Sequence, residues 1–385
     1  MQYNFDECPD RRGTESVKWD LYPGTLPLWV ADMDFTAAPA ILEALRKRVE
    51  HGVFGYELVP DDYFLSIGKW FSRRHGWDGI GRENIIPTTG VIAAYSAAIK
   101  AMTVPGDKVL VQTPVYNAFF PAIRNNKCVQ LDCPLRYDGS RYIVDWDLFE
   151  EKTKEAKVFL LCNPHNPAGR VWERWEIEKA MALFEKYQVY VISDEIWSDI
   201  ILEGHKHIPT QSVSEDAKMR TIAVYAPSKT FNLAGLIGSY HIVYNPMLRD
   251  RLTRQSLCCH YNDMNVLSMH ALIGAYTDEG HAWADELCRV LSKNVYYAYD
   301  VISDHFPGVE VMRPQGTYMM FLHCEEYCRK TGRTIDEVIE AGWDVGVAWQ
   351  QGAPFHDPWG IRMNFAVPYA YVQEALRRLE KYVFV

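Results

Sequence analysis

The sequence predicts an α/β protein in which a large domain built on a mainly parallel sheet is joined to a smaller α+β domain. Three observations carry this. Apolar runs at 108–112, 157–162, 189–193 and 221–225 alternate with helical patterns at 115–125, 146–155 and 174–187, the order that lays helices on both faces of a parallel sheet. Beyond about Gly280 the pattern changes to one long helix reaching Ile302, then short elements at 317–322, 334–341, 360–365 and 369–382. The 385 residues, 48% hydrophobic and 23% charged, also provide more chain than a single core of ordinary size requires.

Each element has a local reason. Within 36–52, Ile41, Leu42, Leu45 and Val49 recur at helical spacing, and Gly52 closes the pattern. A second helix covers 62–75, and the small apolar run from Gly90 to Ile99 suits a helix covered on most sides. Val158-Phe159-Leu160-Leu161-Cys162 and Val189-Tyr190-Val191-Ile192 are unbroken apolar runs, as strands with both faces covered must be. The N-terminal arm is expected to pack with the C-terminal part. Residues 46–284 then form the large domain, and residues 1–45 and 285–385 form the arm plus the small domain.

Composition excludes several function classes. A formal charge of −10 disfavours nucleic acid and anionic membrane surfaces, which reward a basic face. No apolar stretch approaches the roughly 20 residues of a membrane helix, and Met1-Gln2-Tyr3-Asn4-Phe5-Asp6-Glu7 has no basic-then-apolar export pattern. Nine cysteines without paired Cys-x-x-Cys spacing read as reduced thiols, several of them buried, in a cytoplasmic protein. Adjacent Cys258 and Cys259 read as packing residues. His205-Lys206-His207 lacks a third ligand and reads as a solvated loop, so no metal is expected.

The chemistry-bearing pair is Lys229, in Ser228-Lys229-Thr230-Phe231-Asn232, and Asp194, which lies 35 positions earlier at the end of an apolar run. A lysine that holds an aldehyde as a Schiff base and a strand-end carboxylate that keeps a pyridine nitrogen protonated together suggest pyridoxal phosphate. Gly90-Val91-Ile92 opens a helix, whose N–H groups and dipole suit either a phosphate or plain capping. Tyr116 follows a strand, where it can stack on a flat ring or fill the core. Asn163-Pro164-His165-Asn166-Pro167-Ala168-Gly169 is a rigid loop able to aim an amide. A nucleotide-hydrolysing reading of Ser193-Asp194-Glu195-Ile196 fails because the chain has no Gly-x-x-x-x-Gly-Lys-Ser/Thr loop.

In this order the pieces resemble the fold-type I pyridoxal-phosphate enzymes, the aminotransferase class I/II superfamily, over nearly the whole chain. Ala31-Asp32-Met33-Asp34-Phe35, His51-Gly52-Val53-Phe54-Gly55-Tyr56, Thr113-Pro114-Val115-Tyr116-Asn117-Ala118-Phe119, Ser193-Asp194-Glu195-Ile196 and Ser228-Lys229-Thr230-Phe231-Asn232 are similar to its MalY/PatB branch, the cystathionine β-lyase or C–S lyase group. The resemblance implies that Lys229 holds the cofactor aldehyde and then acts as base at the substrate Cα, while Asp194 pairs with the ring nitrogen. It further implies that Tyr116 stacks on the ring and assists the leaving sulfur, and that Asn166 bonds the ring oxygen. Gly90, Val91, Ile92 and Ser228 would hold the phosphate together with Tyr56 from a neighbouring subunit, so a homodimer is implied. Arg362 would grip the α-carboxylate of a small amino-acid substrate, with Asn166 beside it.

The implied activity is α,β-elimination from L-cystathionine or a related cysteine S-conjugate. Transamination and non-catalytic cofactor binding are the two alternatives. Three departures from the family pattern bear on these readings. Trp197 stands where the branch has histidine, Ala226 replaces a phosphate-binding serine, and no arginine stands eight positions after Lys229. Segment 349–359, expected at the substrate entrance, is unusual and leaves the substrate open.

Overall fold

The structure is a computed structural model that describes residues 3–385. Its main sheet has seven strands in the order Ile85–Thr88, Ser239–Ile242, Thr221–Tyr225, Tyr190–Asp194, Val158–Cys162, Lys108–Val111 and Val129–Asp132. The pairings are parallel except at Ser239–Ile242, which runs antiparallel to both neighbours. Every residue of Val158–Cys162 and Thr221–Tyr225 is buried, which explains their lack of polar alternation. Asp194 ends its strand in register with Cys162 and Val224. It therefore sits at the carboxyl edge of the sheet, where ligands of such folds gather.

The expected helix 174–187 forms as Arg174–Tyr187, and the long C-terminal helix forms as Asp278–His305. The latter buries Trp283, Leu287, Leu291, Val295, Ala298 and Ile302, a stripe at spacings of three and four. The helix expected at 115–125 is shorter, Phe119–Asn125. Val115 instead donates its N–H to the Phe355 carbonyl at 3.2 Å, so the chain turns before the helix begins and Tyr116 lies on that turn. The strands Ile85–Thr88, Val129–Asp132 and Ser239–Ile242 lack long apolar runs. Their pairing with central neighbours defines them.

A four-stranded antiparallel sheet, Glu310–Val311, Met319–His323, Gly360–Asn364 and Gln350–Gln351, lies in the C-terminal part. The N-terminal arm is stitched to the C-terminal part. Leu26–Pro27 pairs with Val347–Ala348, and the Asn364 side-chain amide donates to the Val30 and Asp32 carbonyls at 2.6 and 2.7 Å.

Two sequence expectations fail. Cys258 and Cys259 are exposed, because the buried face of helix Pro246–Cys259 ends at Ser256 and the last residues run past the core. His207 is buried, and its Nε2 lies 2.7 Å from the Glu195 carboxylate, a partner twelve residues away that its own loop does not announce. Among the described residues, no helix is long and apolar enough to cross a membrane and no cluster is suited to hold a metal ion.

Asp199 draws three segments together behind the sheet edge. Its buried carboxylate accepts from Trp70 Nε1 at 3.1 Å and from Thr230 Oγ1 at 3.0 Å, and pairs with Arg74 Nε at 3.2 Å. Arg74 continues to Asp285 on the long helix at 2.6 Å. Removing one partner of a buried pair strands the other charge, so Asp199→Ala lowers stability by about 3–5 kcal/mol. Thr230→Val costs about 1–2 kcal/mol. Denaturant midpoints of the two variants check this order.

Candidate active site

A cavity of about 410 Å³ opens at the carboxyl edge of the sheet and is lined by Asp194, Lys229, Tyr116, Asn166, Trp197 and Arg362, among others. A larger groove of about 710 Å³ runs along the N-terminal arm between Arg12 and Tyr371. None of Asp194, Lys229 and Arg362 lines that groove, and all three line the smaller space.

The adjacent carboxylates Asp194 and Glu195 have opposite surroundings. Glu195 is fully buried and satisfied: Ser193 Oγ and the Thr210 N–H donate to one oxygen at 2.8 and 3.0 Å, and His207 Nε2 and Tyr225 OH donate to the other at 2.7 Å. Burial would raise its acid, but these donors outweigh it and hold it below the usual carboxylate range. Asp194 is equally buried, yet it has one protein donor among the described residues, the Ile196 N–H at 3.2 Å. Burial pushes its acid up to about 7, against the Ile196 N–H and the charge of Lys229.

Lys229 lies in a turn tied down by the residues that follow it. Thr230 is held by Asp199, and Asn232, in the left-handed region at φ 58°, clasps residue 33 from both sides. Its carbonyl accepts from the Met33 N–H at 3.0 Å while its amide donates to the Met33 carbonyl at 2.8 Å. Lys229 Nζ donates to the Ala31 carbonyl at 2.6 Å and lies 5.5 Å from the centre of the Trp197 ring. Burial, reinforced by the charge of Arg362 and opposed by Asp32 and Asp194, lowers the ammonium to about 8. A neutral, nucleophilic amine is thus accessible near neutral pH. Trp197 is itself packed edge-on against Tyr318, whose hydroxyl also donates to the Ala31 carbonyl at 3.2 Å.

Arg362 is 4% exposed and reaches Asn166 Oδ1 and the Trp29 carbonyl, each at 3.3 Å, as well as Gln350 Oε1. Burial lowers it to about 10. Burial likewise raises the Tyr116 phenol, keeping it protonated as a donor. Gly90 caps helix Val91–Met102 at φ 93°, and a Cβ there would come within 3.0 Å of the Ile237 side chain. Val91, Ile92 and Ser228 line the cavity beside that helix start. Ile237 stands eight positions after Lys229 and lines the same wall, so the cradle gains no cation from it. Tyr56 is fully exposed, with no part in lining this chain's own cavity.

The donor set fits pyridoxal phosphate. An under-satisfied buried carboxylate suits a cationic ring nitrogen, a lowered lysine suits an aldehyde, and a glycine-started helix suits a phosphate. Sequence reasoning missed Trp29, Ala31, Asp32, Cys162 and Gln350, which also line the cavity. The motif containing Ala31 and Asp32, and segment 349–359, which contains Gln350, were the local signals for this group.

Asp194 makes the cofactor-free protein pH-sensitive. A carboxyl raised in the folded state binds its proton more tightly folded than unfolded, so stability falls as pH rises from about 3.8 to about 7. Above that window the penalty is roughly 2–4 kcal/mol. Cofactor-free Asp194→Asn protein is therefore more stable than cofactor-free wild type at pH 8, and the gain disappears by about pH 4, as denaturation at the two pH values will register.

Comparison with known proteins agrees with this geometry. The chain matches the aminotransferase class I and II family model over residues 36–379. It is 37% identical to cystathionine beta-lyase PatB of Bacillus subtilis, over 98% of this chain and 99% of that protein. Cystalysin of Treponema denticola, whose structure contains pyridoxal 5'-phosphate, superposes with a TM-score of 0.92 at 33% identity, covering 99% of this chain and 98% of that one. The PLP-bound C–S lyase of Staphylococcus hominis gives a TM-score of 0.92 at 28% identity, covering 100% and 99% respectively. With this match running through both sheets and the cavity between them, the chain belongs to the aminotransferase class I and II family.

Proposed function

We propose that this protein is a pyridoxal-phosphate-dependent carbon–sulfur β-lyase that cleaves L-cystathionine or a related cysteine S-conjugate. The products are a thiol (homocysteine from L-cystathionine), pyruvate and ammonia. The observation that carries the reading is a cavity combining a lowered lysine, a buried strand-end carboxylate and a buried arginine held by neutral oxygens. The full-length similarity to cystathionine beta-lyase PatB supports it.

Bound pyridoxal phosphate supplies a ring that spreads the negative charge developing at the substrate Cα. Asp194 would keep the ring nitrogen protonated, and Lys229 would hold the aldehyde. Gly90, Val91, Ile92 and Ser228 would hold the phosphate, and Tyr116 and Asn166 would contact the ring. Arg362 fixes the α-carboxylate, with Asn166 beside it, which leaves the Cα–H bond to Lys229. The Lys229 amine removes that proton. The Cβ–S bond then breaks with its electron pair on sulfur, and the Tyr116 hydroxyl donates a proton to the leaving thiolate. Water finally displaces the amino group, giving pyruvate and ammonia.

The functional unit in this reading is a homodimer in which Tyr56 of the partner subunit completes the phosphate cradle. The exposed Val53, Phe54, Tyr56 and Leu58 favour it. The large domain spans residues 46–284, with residues 1–45 and 285–385 forming the arm and small domain. Free cysteines throughout suit a cytoplasmic setting.

Incubation of the yellow protein with L-cystathionine, without a keto acid, gives equimolar thiol and pyruvate over many turnovers. Bleaching that only an added keto acid reverses would replace this reading with transamination. Lys229→Ala loses at least roughly 1,000-fold in rate and Tyr116→Phe roughly 10- to 100-fold. Steady-state kinetics of the two variants measure both losses.

A further inference from the structure

Segment 349–359 contributes one side chain that the reaction scheme above leaves without a role. Gln350 stands directly opposite Arg362 in the antiparallel register of the small sheet, so the two side chains rise from the same face. Gln350 Oε1 accepts a hydrogen bond from Arg362 Nη2. The amide orientation is fixed by chemistry, because a guanidinium offers donors alone and only the amide oxygen can face it. Gln350 also lines the cavity.

The surroundings of Arg362 give this contact its meaning. Its three hydrogen-bond acceptors, Asn166 Oδ1, the Trp29 carbonyl and Gln350 Oε1, are all neutral. The guanidinium lies over the Phe355 ring at 4.7 Å, and its Nε has no partner among the described residues. A carboxylate at position 350 would aim the fork equally well, but it would neutralise the charge and occupy the place of an incoming anion. An amide of the same length aims the fork and leaves the charge available.

We propose that Gln350 is a positioning residue for the substrate α-carboxylate. Its oxygen fixes the Arg362 fork, and its NH2 group faces the space where the second carboxylate oxygen arrives. The site therefore selects amines that carry a free α-carboxylate, whatever thioether they bear. This rests on the reading in which Arg362 receives that carboxylate.

The test uses the cofactor-loaded enzyme and three variants, each checked for equal cofactor absorbance. Gln350→Glu changes an amide to a carboxylate without changing size. KM for L-cystathionine is expected to rise roughly 100-fold with kcat within about threefold of wild type, the signature of lost ground-state binding. Affinity for 2-(methylthio)ethylamine, a thioether amine without the carboxylate, is expected to stay within about twofold of wild type, as followed by the cofactor absorbance. Gln350→Met, similar in length and apolar, raises KM by roughly 10-fold.

An unchanged KM in Gln350→Glu, or an equal loss of affinity for the carboxylate-free amine, overturns the proposal. Arg362→Lys separates the two levels. If it raises KM while the Gln350 variants do not, only the role of Gln350 falls. If it leaves KM unchanged, the assignment of Arg362 falls, and the role of Gln350 falls with it.

Discussion

The structure depends on a buried carboxylate with too few partners. Asp194 ends a central strand, where backbone pairing on both sides fixes its position and helices exclude water. Desolvation alone would keep the acid protonated, and the protein does little to offset it, although Glu195, one residue along, has four donors. The contrast between neighbours is what strand geometry allows. Successive side chains point to opposite faces, so Glu195 meets His207, Tyr225 and Thr210 while Asp194 meets the cavity. One carboxylate is satisfied by the fold, and the other faces the cavity with a single hydrogen-bond donor among the described residues.

Lys229 is complementary to Asp194 and is placed by different means. It lies on a turn, where a side chain has no ladder to fix it. Rigidity comes from its neighbours, Thr230 on Asp199 and Asn232 on Met33. These contacts also join helix Asp61–His75, the N-terminal arm and the long helix Asp278–His305 around one point. The arm and both helices are thus linked, through these contacts, to the turn that carries Lys229.

Charge in the cavity is distributed so that no group finishes another. Asp194 and Lys229 shift toward their neutral forms, and Arg362 is held by neutral oxygens. Were the arginine paired with either carboxylate, it would have nothing to offer a substrate carboxylate. The separation follows from topology, since Arg362 rises from the small sheet while Asp194 and Lys229 belong to the edge of the large one. A ligand that bridges the two sheets meets both sets of unsatisfied charge.

The sequence alone determined the alternation of strands and helices, because unbroken apolar runs and 3.6-residue stripes are local consequences of burial. It also singled out Lys229, Asp194 and Asn166 as candidates from turn and strand-end contexts written within a few neighbours, and the fold brings all three to one cavity. Arg362 was legible through resemblance only, since one arginine in a strand carries no pattern. The tertiary structure decided what depends on partners distant in the chain. It buried His207 against Glu195, left Cys258 and Cys259 outside the core, freed Tyr116 from the helix expected at 115–125, and set Gln350 opposite Arg362. Register and long-range hydrogen bonds join residues separated by tens to hundreds of positions, and no local spacing encodes which of them will meet.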